Sequence, residues 1–435
     1  MAASFPLTPE RTRLGMLLLA HIAVYCLSLL YLAHYRFPVD FDPTTFHVFW
    51  NPSRLGFALL ATGSLVLFAP LFAITRFSFG YFVGFYLYTV ALGFLWLNAF
   101  TDLKYDHRLA AVSAAASAVA FILPALFISK PVRQIYVLSE PAFDRLLTAI
   151  LVIGAAVIAA GAFYDFRIVL IGDIYEFRAT MTKPVVLSYL IGMTSGALLP
   201  FAFAGFVMRN AYWRAAAALL LLLSVYPVVF NKTALFAPFW LVFMLALSRL
   251  FEARVAVVLS LLLPLAVSLA LIVLFGIAAA SIFSLVNFRM VAVPSVAIGV
   301  YSDFFSSHDL TYFCQITPLK TIMSCPYHEQ LSLVMEKAYK LGNFNASLLA
   351  EGIASVGLPF APVAVLAAGL VVAIGNRLSA GLPATFVMLS GALVPQLLLN
   401  IPLSTVLLTH GAGLLFLLWY ITPRTIFDRK PDEVS

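Results

Sequence analysis

Hydrophobic positions in this chain form continuous runs of about 20 residues, separated by shorter polar segments. A helix needs about 20 apolar residues to cross a bilayer, whereas the strands of a membrane barrel would alternate apolar and polar residues. The pattern therefore predicts an all-α polytopic membrane protein with about twelve spans. The predicted spans lie near residues 14–34, 55–74, 80–100, 109–129, 146–163, 185–206, 215–230, 235–251, 255–282, 351–375, 382–398 and 402–420.

Composition supports the same class. Hydrophobic residues make up 63% of the 435 positions and charged residues only 10%. A soluble domain carries about 25% charged residues. This chain therefore has too few polar groups to cover a water-facing surface, which excludes a soluble enzyme, a disordered protein and a disulfide scaffold.

Basic residues in the loops predict the orientation, because Lys and Arg are enriched on the cytoplasmic side. With the N-terminus inside, 14 of the 26 basic and 7 of the 19 acidic residues are cytoplasmic, so that side carries 14 − 7 = +7. The outer side carries 12 − 12 = 0. Both termini of this multi-pass membrane protein are therefore expected in the cytoplasm. The basic charge is explained by topology, so nucleic acid is not an expected partner.

Three outer segments are longer than simple connectors: 35–54, 164–184 and 283–350. The last is the largest, and we interpret it as a loop between the ninth and tenth spans of a single membrane domain, 1–435. Within it, residues 328–341 have apolar positions at helical spacing and charged positions opposite. This pattern predicts an amphipathic helix at the membrane interface or over the bundle.

Cations near membrane depth are costly, which favours a functional interpretation. On the predicted outer side these are Arg167, Arg178, Lys183, Lys232 and Arg289. A guanidinium binds phosphate through two hydrogen bonds, so cations facing one cavity would suit a lipid diphosphate. The alternative is that each one reaches lipid headgroups or pairs with a nearby acid. Arg209, predicted on the cytoplasmic side, is expected to be dispensable.

Acids and histidines on the outer side are candidates to deprotonate a sugar hydroxyl. They are Asp303, His308, Asp309, His328 and Glu351, each with the alternative of a structural hydrogen-bonding role. Glu351 stands out because it lies where the chain re-enters the membrane. Asp40 and Asp42 have the D-x-D spacing of some metal-binding transferases, but neighbouring prolines favour a turn. We expect no metal and no cofactor.

The three cysteines divide into two groups. Cys26 lies in the first predicted span and is expected to pack. Cys314 and Cys325 both lie in the large loop, so in an oxidising compartment they would close a short disulfide.

Residues 287–294, Asn-Phe-Arg-Met-Val-Ala-Val-Pro, are followed at 301–305 by Tyr-Ser-Asp-Phe-Phe. This stretch resembles the bacterial oligosaccharide repeat unit polymerases, the Wzy-like O-antigen polymerase group. In that group an Arg soon followed by Pro opens the large periplasmic loop, and a Tyr-x-x-Phe-Phe stretch comes next. Residues 343–346 and 349–352 resemble the segment that closes the loop, and 175–178 resembles an earlier periplasmic Arg motif.

The resemblance implies a GT-C-like membrane glycosyltransferase at the periplasmic face. Its substrates would be undecaprenyl-diphosphate-linked oligosaccharides, and its product O-antigen, capsule or exopolysaccharide. Arg289, Glu351, Asp303 and His308 are then the catalytic candidates. The substrate-binding candidates are Arg178, Arg167, Lys232 and Asn345. Expected partners are the lipid-linked oligosaccharide and membrane lipids, with a chain-length regulator and a flippase as candidate protein partners.

Two other functions stay open. O-antigen ligases usually carry a His-Asn pair at the loop exit, but here Phe344 precedes Asn345, which favours a polymerase. A lipid-linked oligosaccharide flippase would distribute charges along its spans, whereas here nearly all charges lie in predicted loops. A non-enzymatic scaffold of polysaccharide assembly is a further alternative.

Overall fold

The computed structural model describes residues 9–34, 46–169, 183–316, 319–341 and 347–427. Within these ranges the chain forms helices, turns and one isolated β-bridge between Val48 and Thr101, and no β-strand. The first eleven α-helices are α1 Pro9–His34, α2 Leu55–Val66, α3 Pro70–Ile74, α4 Phe79–Leu97, α5 His107–Phe127, α6 Glu140–Tyr164, α7 Val185–Met193, α8 Leu199–Met208, α9 Tyr212–Ser224, α10 Tyr226–Val229 and α11 Lys232–Leu250. The remaining helices are α12 Ala253–Phe275, α13 Ala280–Phe283, α14 Val293–Phe304, α15 Leu331–Tyr339, α16 Leu348–Ser379, α17 Ala384–Ser390, α18 Leu393–Leu398, α19 Leu403–Leu408 and α20 Ala412–Ile421.

In the described part of the chain, ten helical segments are long and apolar enough to cross a membrane. The prediction of an all-α polytopic membrane protein is thereby confirmed. The ten segments are Pro9–His34, Pro52–Ile74, Phe79–Leu97, His107–Phe127, Glu140–Tyr164, Val185–Met208, Tyr212–Val229, Lys232–Leu250, Ala253–Phe304 and Leu348–Ser379. They match the first ten spans that the sequence predicts.

The last two predicted spans do not form continuous helices. Residues 382–420 instead form four short helices, α17 to α20. Gly391 ends α17, Pro402 comes directly before α19, and Gly411 precedes α20 with a left-handed φ of 77°. Glycine is free to leave the helical conformation and proline lacks the N–H that a helix interior needs. Hydropathy alone does not register these interruptions, so the sequence predicts two continuous spans where the structure has four short helices.

The chain divides into two compact units. Unit 1 contains Met1–Ile128, Arg254–Ala373 and Leu398–Leu403. Unit 2 contains Ser129–Ala253, Ile374–Leu397 and Ser404–Ser435. In unit 1, α4 is the central helix, since every one of its residues is buried.

The segment Ala253–Phe304 is 52 residues long and carries the sequence motif around Arg289. At its start, the Arg254 side chain donates to the carbonyls of Ala73 and Thr75, just before α4 begins. Near its end, Asp303 accepts a hydrogen bond from the backbone N–H of Lys104, just after α4 ends. The two ends of the segment therefore lie near opposite ends of α4.

The same segment turns back on itself on the way. Ser268 Oγ donates to Asn287 Oδ1, although the two residues are 19 positions apart. In a straight helix that separation would be about 28 Å. The reversal falls at Gly276, whose φ is +56°. Residues 276–304 therefore form a re-entrant segment, and residues 283–304, which the sequence placed at the start of the large loop, are helical. Their polar residues gave them the composition of a loop, yet Asn287 and Ser295 are fully buried among polar partners.

Helix α16 is broken at Gly357, which has φ +75° and ψ 167°. Pro359 has no N–H to donate to the carbonyl of Ser355, four residues earlier. The backbone N–H of Tyr312 supplies that hydrogen bond at 3.1 Å. This hydrogen bond links the large loop to α16 at a carbonyl that has no donor within the helix.

Two further hydrogen bonds are donated to backbone carbonyls around the break in α16. The Thr311 N–H donates to the Ala354 carbonyl at 2.8 Å. Pro362 leaves the Leu358 carbonyl without its helical donor, and Ser113 Oγ on α5 donates to it at 2.6 Å. Backbone groups buried at membrane depth need hydrogen-bond partners within the protein, because no water is available there.

Candidate functional site

Arg289 lies in the re-entrant segment, on a π-helical stretch that runs from Ser284 to Ala292. Its neighbours Phe288 and Val291 are buried, while Arg289 itself is half-buried. Its guanidinium lies 5.8 Å from the centroid of the Phe288 ring. Among the residues that the structure describes, no carboxylate pairs with it. A half-buried cation without a counter-charge is expensive, and π-helical turns are frequent at functional sites.

A buried polar cluster holds the re-entrant segment beside α1 and α12. Asn287 Nδ2 donates to Ser28 Oγ at 2.7 Å and to the Leu265 carbonyl at 3.3 Å. Asn287 Oδ1 accepts from Ser268, so the acceptor and both donors of the amide are satisfied. The sequence alone does not predict this role for Asn287. The signal available was an amide in an otherwise apolar stretch, whose two serine partners are distant in sequence.

A second set of contacts fixes the next turn. Ser295 Oγ donates to the Val291 carbonyl at 2.7 Å and lies 3.3 Å from Tyr25 Oη. Gly93 on α4 faces this pair, and a Cβ there would lie 2.4 Å from Ser295 Oγ. The absence of a side chain at Gly93 therefore allows the segment to approach α4 closely.

Asp303 lies at the end of unit 1 formed by residues 98–106 and 305–341, which we call the loop end. Its Oδ1 accepts from the Lys104 N–H at 2.5 Å, and its Oδ2 accepts from Tyr339 Oη at 2.6 Å. Burial, the hydrogen bond to Asp303 and the charge of Asp303 raise the pKa of Tyr339. Burial, together with the charge of Asp303, also raises the pKa of Tyr105. Both oxygens of Asp303 are thus engaged in structural contacts, which is the arrangement of an anchor.

His308 is an exposed residue just after α14. Its Nδ1 lies 2.8 Å from the Phe304 carbonyl, and its ring stacks on the Phe304 ring with centroids 3.9 Å apart. These contacts fix the imidazole against the end of its own helix. The neighbouring candidate Asp309 accepts a hydrogen bond from Tyr327 Oη through its backbone carbonyl.

Glu351 is half-buried in the first turn of α16. Its Oε2 accepts a hydrogen bond from the backbone N–H of Leu403 at 3.1 Å. Glu351 is therefore held in a defined position within unit 1.

The loop end is ordered by a disulfide and a short helix. Cys314 and Cys325 form a disulfide with a Cα–Cα distance of 5.4 Å. Helix α15 lies within the predicted amphipathic stretch, and Met335 on it is fully buried. Lys340, with a left-handed φ of 56°, ends that helix.

The remaining described cations from the sequence analysis belong to unit 2. Arg167 pairs with Asp165 at 3.0 Å, and its backbone N–H donates to the Pro227 carbonyl. Lys183 Nζ donates to the adjacent Val228 carbonyl. Burial lowers the pKa of Lys183, and the charge of Asp165 partly offsets this effect. Lys232 is the first residue of α11, so these three cations gather near the turn between α10 and α11.

Four residues singled out from the sequence lie outside the described residues: Asp40, Asp42, Arg178 and Asn345. Arg209, which is expected to be dispensable for activity, lies in unit 2. Arg209 pairs with Glu140 at 3.2 Å and with Asp144 at 3.7 Å. It therefore belongs to an ion-pair network that connects α6 with the end of α8.

No family model matches this chain, and comparison with curated proteins and with solved structures finds no significant similarity. The candidate site therefore rests on its own geometry and on the residues of the sequence motif.

Proposed function

We propose that this protein is a membrane glycosyltransferase of GT-C-like architecture that polymerises undecaprenyl-diphosphate-linked oligosaccharide repeat units into surface polysaccharide. One observation carries the proposal. Arg289, which belongs to the motif that resembles the polymerases, is a half-buried cation without a carboxylate partner among the described residues. A guanidinium in that state is available for an anionic ligand, and a diphosphate matches its fork of donors.

In the proposed reaction, a hydroxyl of the acceptor repeat unit attacks the anomeric carbon of the donor sugar. The bond from that carbon to the lipid diphosphate breaks, and the diphosphate leaves with the electron pair. Arg289 donates hydrogen bonds to phosphate oxygens and stabilises the negative charge that develops on them. The acceptor proton passes to a base, for which Glu351 is our candidate, because it is a fixed and half-buried carboxylate.

The other candidates receive different roles. Asp303 and His308 are engaged in contacts that hold the loop end, so we assign them to positioning. Arg167, Lys232, Arg178 and Asn345 keep the substrate-binding role that the sequence predicts for them. No metal or cofactor takes part in the proposed reaction.

We further propose that the loop end faces the periplasm of a bacterial inner membrane and that both termini are cytoplasmic. The charge asymmetry of the sequence supports this orientation. The Cys314–Cys325 disulfide is also in keeping with an oxidising compartment on that side.

Deletion of the gene, followed by electrophoresis of the surface glycans, tests the proposal. A polymerase mutant should display lipid cores capped with a single repeat unit. Bare cores with polymer still on the carrier lipid would instead indicate a ligase. Loss of polymer with intermediates held at the cytoplasmic face would indicate a flippase, and an unchanged glycan profile would contradict all three functions.

A further inference from the structure

Arg289 lies two positions after Asn287, whose side-chain amide bonds to Ser28, Ser268 and the Leu265 carbonyl. We propose that Asn287 is a positioning residue, which fixes the rotation of the π-helical stretch and thereby aims the Arg289 guanidinium. The inference rests on the proposed function for the role of Arg289, while the geometry itself is testable without any activity.

The burial of Asn287 determines the side of the helix on which Arg289 lies. Two residues further along a helix lie roughly 160–200° around its axis. Asn287 is completely buried against α1 and α12, so Arg289 lies on the opposite side, where it is half-exposed. Fixing Asn287 therefore fixes the side on which Arg289 is presented.

The hydrogen bonds of Asn287 stabilise the π-helical register of this stretch. A π-helical stretch has an alternative, because ordinary α-helical turns are the far commoner conformation of such a segment. Relaxation to that register would rotate the stretch and change the direction of Arg289. The amide of Asn287 is bonded to Ser28, Ser268 and the Leu265 carbonyl. A rotation would break these bonds, so they favour the register in which Arg289 is presented.

The number of hydrogen bonds lost sets the expected shift in the equilibrium between the two registers. Side-chain hydrogen bonds between membrane helices shift an equilibrium by about threefold each, so loss of three shifts it by roughly twentyfold. Asn287→Leu keeps the branched shape of the side chain but removes all three hydrogen bonds. The variant should still fold, because Ser28 donates to the Val24 carbonyl and Ser268 also reaches the Leu265 carbonyl.

The test measures the accessibility of position 289 directly. In membranes carrying Cys26→Ala and Arg289→Cys, the rate of modification by a small charged methanethiosulfonate is compared with and without Asn287→Leu. The rate should change by up to about twentyfold, which is the size of the expected shift between the two registers. Ser302→Ala is the matched control. Ser302 is also fully buried in α14, but its hydroxyl donates only within its own helix, to Ile298.

A milder pair of variants separates hydrogen bonding from packing. Ser268→Ala removes one bond and should shift the rate about threefold, whereas Ser268→Thr keeps the hydroxyl and should behave as the parent. In the Arg289 background, glycan chain length should fall in the same order as the labelling rate changes. An unchanged rate in Asn287→Leu, or an equal change in Ser302→Ala, would overturn the positioning role. A normal glycan in Arg289→Ala would instead contradict the role of Arg289 in the proposed function and leave the labelling result standing.

Discussion

The hydrogen bond from Tyr339 to Asp303 holds helix α15 at the loop end, and its removal should loosen that helix. Tyr339 Oη donates to Asp303 Oδ2 at 2.6 Å, while Asp303 Oδ1 is fixed by the Lys104 N–H. Tyr339→Phe deletes one oxygen and leaves the ring in place. The substitution therefore tests the bond with little change in packing.

The size of the effect follows from the charge and exposure of the two partners. A hydrogen bond to a charged group contributes about 1.5–3 kcal/mol to stability. Tyr339 and Asp303 are both half-buried, so solvent screening places this bond near the lower limit. A loss of about 1.4 kcal/mol corresponds to a tenfold increase in the open population of α15.

Hydrogen–deuterium exchange of the purified protein measures that population. Amides of Leu331–Tyr339 should exchange about tenfold faster in Tyr339→Phe. Tyr312→Phe is the control, because Tyr312 lies in the same loop, is exposed, and its hydroxyl bonds to no described residue. Equal protection of α15 in the variant and the parent would refute the anchoring role of Asp303.

The raised pKa of Tyr339 predicts how this contact depends on pH. A folded-state pKa above the unfolded value of about 10 means that the native state binds the phenolic proton more tightly. The stabilisation is therefore complete below pH 10 and is lost only as the pH rises through the raised value. Once intrinsic exchange rates are corrected for, protection of α15 should stay constant between pH 6 and pH 9.

Three further predictions concern other parts of the molecule. Cys325→Ser should make the loop end more sensitive to protease, and two free thiols in the native protein would contradict the disulfide. Arg209→Ala should lower stability by about 1 kcal/mol through its lost ion pairs, measured as a lower melting temperature, whereas the exposed Arg249→Ala should not. An impermeant thiol reagent should label Ser306→Cys but not Ser435→Cys in intact cells, and the reverse pattern would invert the proposed topology.

Much of the helical architecture follows from hydropathy, because a bilayer demands long apolar helices. The ten spans up to Ser379 were predictable for that reason. The fold of residues 283–304 was not, because their buried amide and hydroxyl groups look like loop residues until their distant partners are known. Burial of the Asn287 amide would cost free energy if its polar atoms had no partners. Hydrogen bonds to Ser28 and Ser268 offset that cost.

The candidate site was predictable only as a set of residue types. Arg289 and Glu351 stood out because charges near membrane depth are costly. The engagement of Asp303 by Tyr339 was not predictable, because 36 residues and a disulfide-bonded loop separate them. The break in α16 shows an intermediate case. Pro359 predicts a carbonyl without a helical donor at Ser355, because proline has no N–H. The sequence does not predict that the N–H of Tyr312 donates to that carbonyl.

The most direct test of the central claim is the glycan profile of a chromosomal Arg289→Ala strain, with protein abundance in the membrane measured in parallel. Removal of a donor aimed at developing charge costs about a hundredfold to a thousandfold in rate. Long-chain glycan should therefore disappear at normal abundance, and Arg289→Lys should restore little, because it keeps the charge but loses the guanidinium fork. Arg108→Ala, an exposed cation at the start of α5, should leave the profile unchanged. A normal distribution of chain lengths in a well-expressed Arg289→Ala strain would contradict the proposed role of Arg289.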